Sequence, residues 1–238
     1  VIPLDGTDLL DWICPDFKRV GVDYVLKMPL ADCLSNAIAK IKSAENRIDK
    51  IIQLGIDICK ALESLHAQEI YHRDIKPANI YLYNGNYCLG DFGISIHKNN
   101  LKLYEIGTEE YCAPEQHYRA RTTNPWLCKK YNHRIDIYSL GLVLYELAGE
   151  KPVEQLFTQR MRGTLPDIST ESEGLNKIIH TACQFDPDDR YQNATIFKEN
   201  LERLQQDKNY IPSQEVHITI SDQTIAENNL QQPDGDTY

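Results

Sequence analysis

A chain of 238 residues, 42% hydrophobic and 25% charged, is ordinary in composition and long enough to bury a substantial core. Its formal charge of −10 excludes a binder that relies on attraction to nucleic acid or to an anionic membrane, since both need a basic surface. The seven cysteines (14, 33, 59, 88, 112, 128 and 183) are odd in number and contain no Cys-x-x-Cys pair, which argues against a disulfide framework or a zinc site and suits a reducing compartment. With no basic-then-apolar leader pattern and no apolar run of about eighteen residues, the expected location is cytoplasmic.

In chain order, residues 1–30 read as short extended pieces, Val1–Leu4 and then Val22–Leu30, where Tyr24, Val25 and Leu26 favour strand. Helical periodicity follows over Ala31–Ala44 and Arg47–Ala67. The second stretch carries an apolar stripe of Ile48, Ile51, Ile52, Leu54, Ile58, Leu62 and Leu65. Two short strands, Ile80–Tyr83 and Tyr87–Leu89, flank the turn signal Asn84-Gly85-Asn86. Beyond Gly93 the chain reads as loop up to Glu115. Helices are then expected over Arg134–Gly149, Val153–Arg162, Gly174–Cys183 and Asn193–Gln206, punctuated by Pro152, Pro166 and Pro187. From Asp207 the composition turns polar, which predicts a disordered tail with one candidate strand at Val216–Ile220.

Three motifs carry chemistry. His72-Arg73-Asp74-Ile75-Lys76-Pro77-Ala78-Asn79 lies between the long helix and the hairpin, Asp91-Phe92-Gly93 just beyond the hairpin, and Ala113-Pro114-Glu115 before the next helix. A phosphoryl transfer needs a base near the attacking hydroxyl, a cation near the moving phosphate and hard oxygen ligands for magnesium. An aspartate, a lysine two residues on, an asparagine five residues on and a second aspartate after a tight turn supply that set. Five specified residues in the first motif, each present about one time in twenty, make coincidence improbable.

In this order and spacing the motifs resemble the catalytic loop, metal-binding turn and activation-segment anchor of a eukaryotic-type (Hanks-type) serine/threonine protein kinase catalytic domain. The resemblance implies an α+β, protein-kinase-like fold, with a mainly α-helical C-terminal lobe and a partial β N-terminal lobe. It implies ATP and Mg2+ as cofactors and a protein as substrate. Asp74 would accept the hydroxyl proton, Lys76 would reach the transferring phosphate, and Asn79 and Asp91 would hold the metal. Met28 and Leu30, with Lys27, would lie near the purine, and Tyr81 would sit below it. Structural support is implied for His72, Arg73, Phe92, Gly93, Thr108, Glu115 paired with Arg190, and Asp136 bracing the catalytic loop. Arg73 beside the catalytic aspartate often accompanies activation-loop phosphorylation in the family. Here Ile94–Ile106 offers only Ser95 and Tyr104 as hydroxyls, so control by a central phosphothreonine is expected to be absent.

No Gly-x-Gly-x-x-Gly loop and no Val-Ala-Ile-Lys-type strand precedes these motifs. The expected organisation is a remnant of the N-terminal lobe and hinge over 1–30, a C-terminal lobe over 31–206 and a polar tail over 207–238. On this reading the chain is a fragment, weak or inactive alone, with an apolar surface open to a partner or to self-association. Two alternatives stand beside the kinase: a pseudokinase-like interaction module, and a small-molecule phosphotransferase. Retention of Asp74, Lys76, Asn79 and Asp91 speaks against the first, and the Ala-Pro-Glu motif speaks against the second.

Overall fold

The computed structural model describes residues 31–100, 107–149, 152–168 and 170–213, together with the backbone of four short strands that precede them. Those strands form two antiparallel pairs, β1 (Pro3–Leu4) with β2 (Thr7–Asp8), and β3 (Lys18–Val20) with β4 (Asp23–Val25). The predicted extended run Val22–Leu30 is strand over Asp23–Val25. Its remainder, with Lys27, Met28 and Leu30, lies outside the described residues.

After β5 (Asp32–Cys33) come α1 (Leu34–Lys42) and α2 (Arg47–Ala67), then β6 (Ile70–Tyr71) and the hairpin strands β7 (Ile80–Tyr83) and β8 (Asn86–Leu89). β5, β7 and β8 make an antiparallel sheet in that order. Asn84 (φ 49°) and Gly85 (φ 82°) form the two-residue turn, the left-handed pair that matches the strand twist. The first helix is shorter than predicted and begins only after β5 has paired with β7.

The centre of the fold is α4 (Arg134–Ala148), in which every residue from Ile135 to Ala148 is buried. A helix apolar on all sides belongs in the middle of a core. Around it lie α2, α6 (Glu173–Ala182) and α7 (Ala194–Gln206), which share one continuous apolar cluster. The helix starts are written in the sequence. Ser172 accepts a hydrogen bond from Leu175 N at 3.3 Å, and Asn193 one from Ile196 N at 2.9 Å.

Three expectations are corrected. Val153–Arg162 is not one helix: a 3-10 turn over Val153–Leu156 leads into the single turn α5 (Phe157–Arg160), and left-handed Gly163 (φ 81°) follows. Residues 116–133 hold a short helix, α3 (Tyr118–Thr123), and a 3-10 stretch, Pro125–Lys130, where no element was predicted. The polar tail does not begin as free chain at Asp207. Tyr210 packs on the core beside Gly174 and donates its hydroxyl to Asn200 Oδ1 at 2.7 Å, which ties the chain at that residue to α6 and α7. The candidate strand at 216–220 lies outside the described residues.

Candidate active site

Four backbone devices bring the motif residues together. β6 pairs with β9 (Ile96–His97), which returns the chain after Asp91 to the side of the loop that follows β6. In the hairpin Ile80 faces Leu89, and Gly90 N donates to Asn79 O at 2.9 Å, so Asn79 stands opposite the residue before Asp91. The hairpin is tied to α2 by Asp57, whose Oδ2 accepts from Tyr87 N at 3.1 Å. Sequence reasoning missed Asp57. Its signal was a charge within the apolar stripe, between Ile56 and Ile58.

The fourth device is Asp136, in the first turn of α4 and fully buried. Its Oδ1 accepts from Arg73 N at 2.8 Å, and its Oδ2 from His72 N at 2.9 Å. His66, in the last turn of α2, places Nε2 2.9 Å from the same Oδ2 and tethers that helix to the loop. The bonds fix a loop in which Arg73 adopts φ 71°, a left-handed backbone that a non-glycine residue holds only when its surroundings enforce it. Burial alone would raise the Asp136 pKa. The His66 side chain and the Arg73 amide outweigh it and hold the carboxyl below its ordinary value.

That shift has a sign. A carboxylate whose folded pKa lies below its unfolded value adds stability above the unfolded pKa and loses it as pH falls through the folded one. Asp136→Asn should therefore be less stable than the parent at neutral pH by about 1–3 kcal/mol, because buried N–H groups lose their acceptor. The gap should narrow below about pH 4, where the parent loses the same carboxylate. Thermal unfolding of both proteins between about pH 3 and 7 measures this; a gap constant with pH would refute it.

His72 is a linker. Its Nε2 donates to Gly90 O at 3.0 Å and its Nδ1 accepts from Asp74 N at 3.3 Å, which fixes the neutral tautomer. Burial lowers its pKa, although Asp136, Asp74 and Asp91 all act on it in the opposite sense. The Phe92 ring packs edge-on against it, centroids 5.1 Å apart.

At the centre lies the Asp74 carboxylate. Oδ1 accepts from Thr108 N at 2.9 Å and from Thr108 Oγ1 at 2.6 Å. Oδ2 lies 2.8 Å from Lys76 Nζ and accepts from Asn79 Nδ2 at 3.0 Å. Lys76 Nζ also reaches Thr108 Oγ1 at 2.6 Å. Burial would raise the Asp74 pKa, but Lys76 and Thr108 hold it below the usual carboxylate value. Gly107 permits this closeness: its φ is 116°, and a Cβ there would come 2.7 Å from the Arg73 carbonyl.

Asp91 is exposed, with φ 58°, and its Oδ1 accepts from Gly93 N at 3.2 Å. Asn79 donates its amide nitrogen to Asp74 O and Oδ2, while its side-chain oxygen accepts no hydrogen bond among the described residues. Tyr81 is half-buried under Gly90, its ring 2.8 Å from where a Cβ of that glycine would be.

Supporting residues extend outward. Arg73 donates Nε to Ile94 O at 2.7 Å, and Nη2 to the same oxygen. Ser95 is buried, with its hydroxyl 3.4 Å from His72 O, and Tyr104 lies outside the described residues. Gln116, which the motif reading missed, donates to Arg73 O at 3.1 Å. Arg190 clamps Glu115 through two bonds of 2.7 and 2.9 Å, with neither side chain exposed.

With the geometry in view, the comparisons are direct. A family model described as protein kinase domain matches residues 18–201. A probable serine/threonine-protein kinase of Clostridium perfringens is 32% identical over 213 residues, covering 82% of this chain and 28% of that protein. A mouse (Mus musculus) serine/threonine-protein kinase is 32% identical over 173 residues, 67% of this chain and 14% of its own length. A Wee1-like protein kinase of Arabidopsis thaliana is 31% identical over 167 residues, 68% and 31% of the two chains. In each case the matched region spans about a third or less of the relative.

Proposed function

We propose that this chain, which belongs to the protein kinase family, transfers the terminal phosphoryl group of ATP to serine or threonine hydroxyls of a protein substrate. The observation that carries the reading is the joining of Asp74, Lys76, Asn79 and Thr108 around one carboxylate. Residues 31–206 are then the catalytic lobe, and the protein substrate docks along the loop that follows Gly107.

Each side chain has a task it is placed to perform. Asp74 is ionised at neutral pH, so it orients a substrate hydroxyl and receives its proton. Lys76, already beside that carboxylate, is in reach of charge developing on the transferring group. His72 and Asp136 hold the loop in register. The donor set suits magnesium: Asn79 offers a carbonyl oxygen free of hydrogen bonds among the described residues and Asp91 an exposed carboxylate. Hard oxygens, one or two from protein and the rest from phosphates and water, are what that ion takes. Bound ATP and magnesium would supply the phosphoryl group and neutralise its charge. Of the residues expected near the base, Tyr81 lies against Gly90, which is consistent with a place below the purine, while Met28 and Leu30 lie outside the described residues. Among the described residues no helix is long and apolar enough to cross a membrane.

The test is transfer of label from the γ-phosphate of ATP to a general protein substrate by the full-length polypeptide that carries these residues. Phosphoserine or phosphothreonine should form in a magnesium-dependent way and disappear in Asp91→Ala. Label that forms equally well in that variant, or none in the parent, would overturn the assignment.

A further inference from the structure

Away from the phosphoryl-transfer residues, one buried cation has no charge to answer it. Among the described residues two arginines are less than 2% exposed, Arg160 and Arg190. Glu115 neutralises the second, but no carboxylate comes within ion-pair distance of Arg160 among the described residues. Arg160 donates to the carbonyls of Glu110 and Cys112 and to the Tyr138 hydroxyl, and its Nε is buried without a partner among the described residues. A guanidinium removed from water without a counter-charge is costly.

A cavity of about 140 Å³ lies beside it. Tyr138, Arg160 and Cys183 are its buried floor, and Gly163, Thr164 and Gln184 its exposed rim. A single water needs about 10–15 Å³, so there is room for a ligand of several atoms. Nothing in the lining supplies a negative charge. Burial pushes the Cys183 thiol up to about 12 and raises the Tyr138 phenol, so both stay neutral at physiological pH. Burial also keeps His180, in the wall, neutral by lowering its pKa. The Tyr138 hydroxyl accepts from Arg160 at 3.4 Å, which leaves its proton for a ligand, and Thr164 adds a second hydroxyl.

We propose that this cavity binds a small oxyanion, a carboxylate or phosphate group, paired with Arg160 and hydrogen-bonded by Tyr138. The same guanidinium holds the carbonyls of Glu110 and Cys112, so an occupied cavity bears on the loop that begins at Thr108.

Thermal unfolding titrated separately with inorganic phosphate and with acetate, at ionic strength balanced by chloride, tests the proposal on the whole chain. A saturable rise is expected in the millimolar range or below, and the tighter of the two arms identifies the source class. Gln184→Trp, at an exposed position, leaves the cation in place and plugs the mouth. It should weaken the response roughly tenfold or more, and Arg160→Met should do the same. Should Arg160→Met fail to fold, Gln184→Trp decides alone. Absence of a saturable response in the parent, or an equal response in Gln184→Trp, overturns the site. The latter outcome marks an adventitious ion only, or an anion held at the nucleotide site.

Discussion

Replacing Asp74 by asparagine should lower kcat for phosphoryl transfer by about 10²–10⁴-fold while changing the KM for ATP by less than about threefold. Asparagine retains an oxygen for Thr108 but turns an amide toward Lys76 Nζ and Asn79 Nδ2, both donors now served by Oδ2. The new side chain can orient a hydroxyl only poorly and cannot take its proton. On the proposed reading ATP is held by other residues, so its binding should be left nearly intact. Steady-state kinetics of the full-length polypeptide, with an unfolding curve to verify the fold, provides the measurement. Activity within about threefold of the parent would remove Asp74 from its role.

Glu115→Ala should cost about 3–5 kcal/mol of stability, or roughly 6–20 °C in Tm. The carboxylate is paired at both oxygens with a guanidinium that is itself unexposed. Without it, Arg190 still reaches the carbonyls of Gln184, Phe185 and Arg134 and stacks on Tyr138, centroid 4.6 Å away, but its charge is unanswered. The double substitution Glu115→Leu with Arg190→Met removes both charges and should be less destabilising than Glu115→Ala alone. Calorimetric unfolding of the parent, Glu115→Ala, Glu115→Leu, Arg190→Met and the double variant separates the outcomes; a double variant as damaged as the sum of Glu115→Leu and Arg190→Met would show that the pair does not interact.

Much of this site was legible in one dimension because its residues cluster in two short motifs joined by a hairpin, and Asn84-Gly85 announces the turn. The helices were legible for local reasons too: an apolar stripe of helical period in α2, a continuous apolar run in α4, and a Ser or Asn at the start of α6 and α7. What escaped was set by distant partners. α3 contains two adjacent threonines, buries only Ala120 and is capped by the His117 side chain, so no periodic stripe marks it. His66 and Asp136 meet across 70 positions, and nothing near either states the other's place. Arg160 reads from its neighbours as a solvated charge; only the fold shows it enclosed. The Tyr210 contact with Asn200 hides in a composition that suggests free chain.

Helix α4 carries more than its own packing. Its first turn holds the amides of His72 and Arg73, Ser139 one turn on donates to the Tyr111 carbonyl at 2.8 Å, and Glu146 accepts from the Tyr111 hydroxyl. The loop that carries Asp74 and the segment after Gly107 are thus mounted on a single rigid rod. Warming should not drift one gradually against the other: their mutual offset persists until the rod melts, and catalytic alignment is lost in the same cooperative step as the fold.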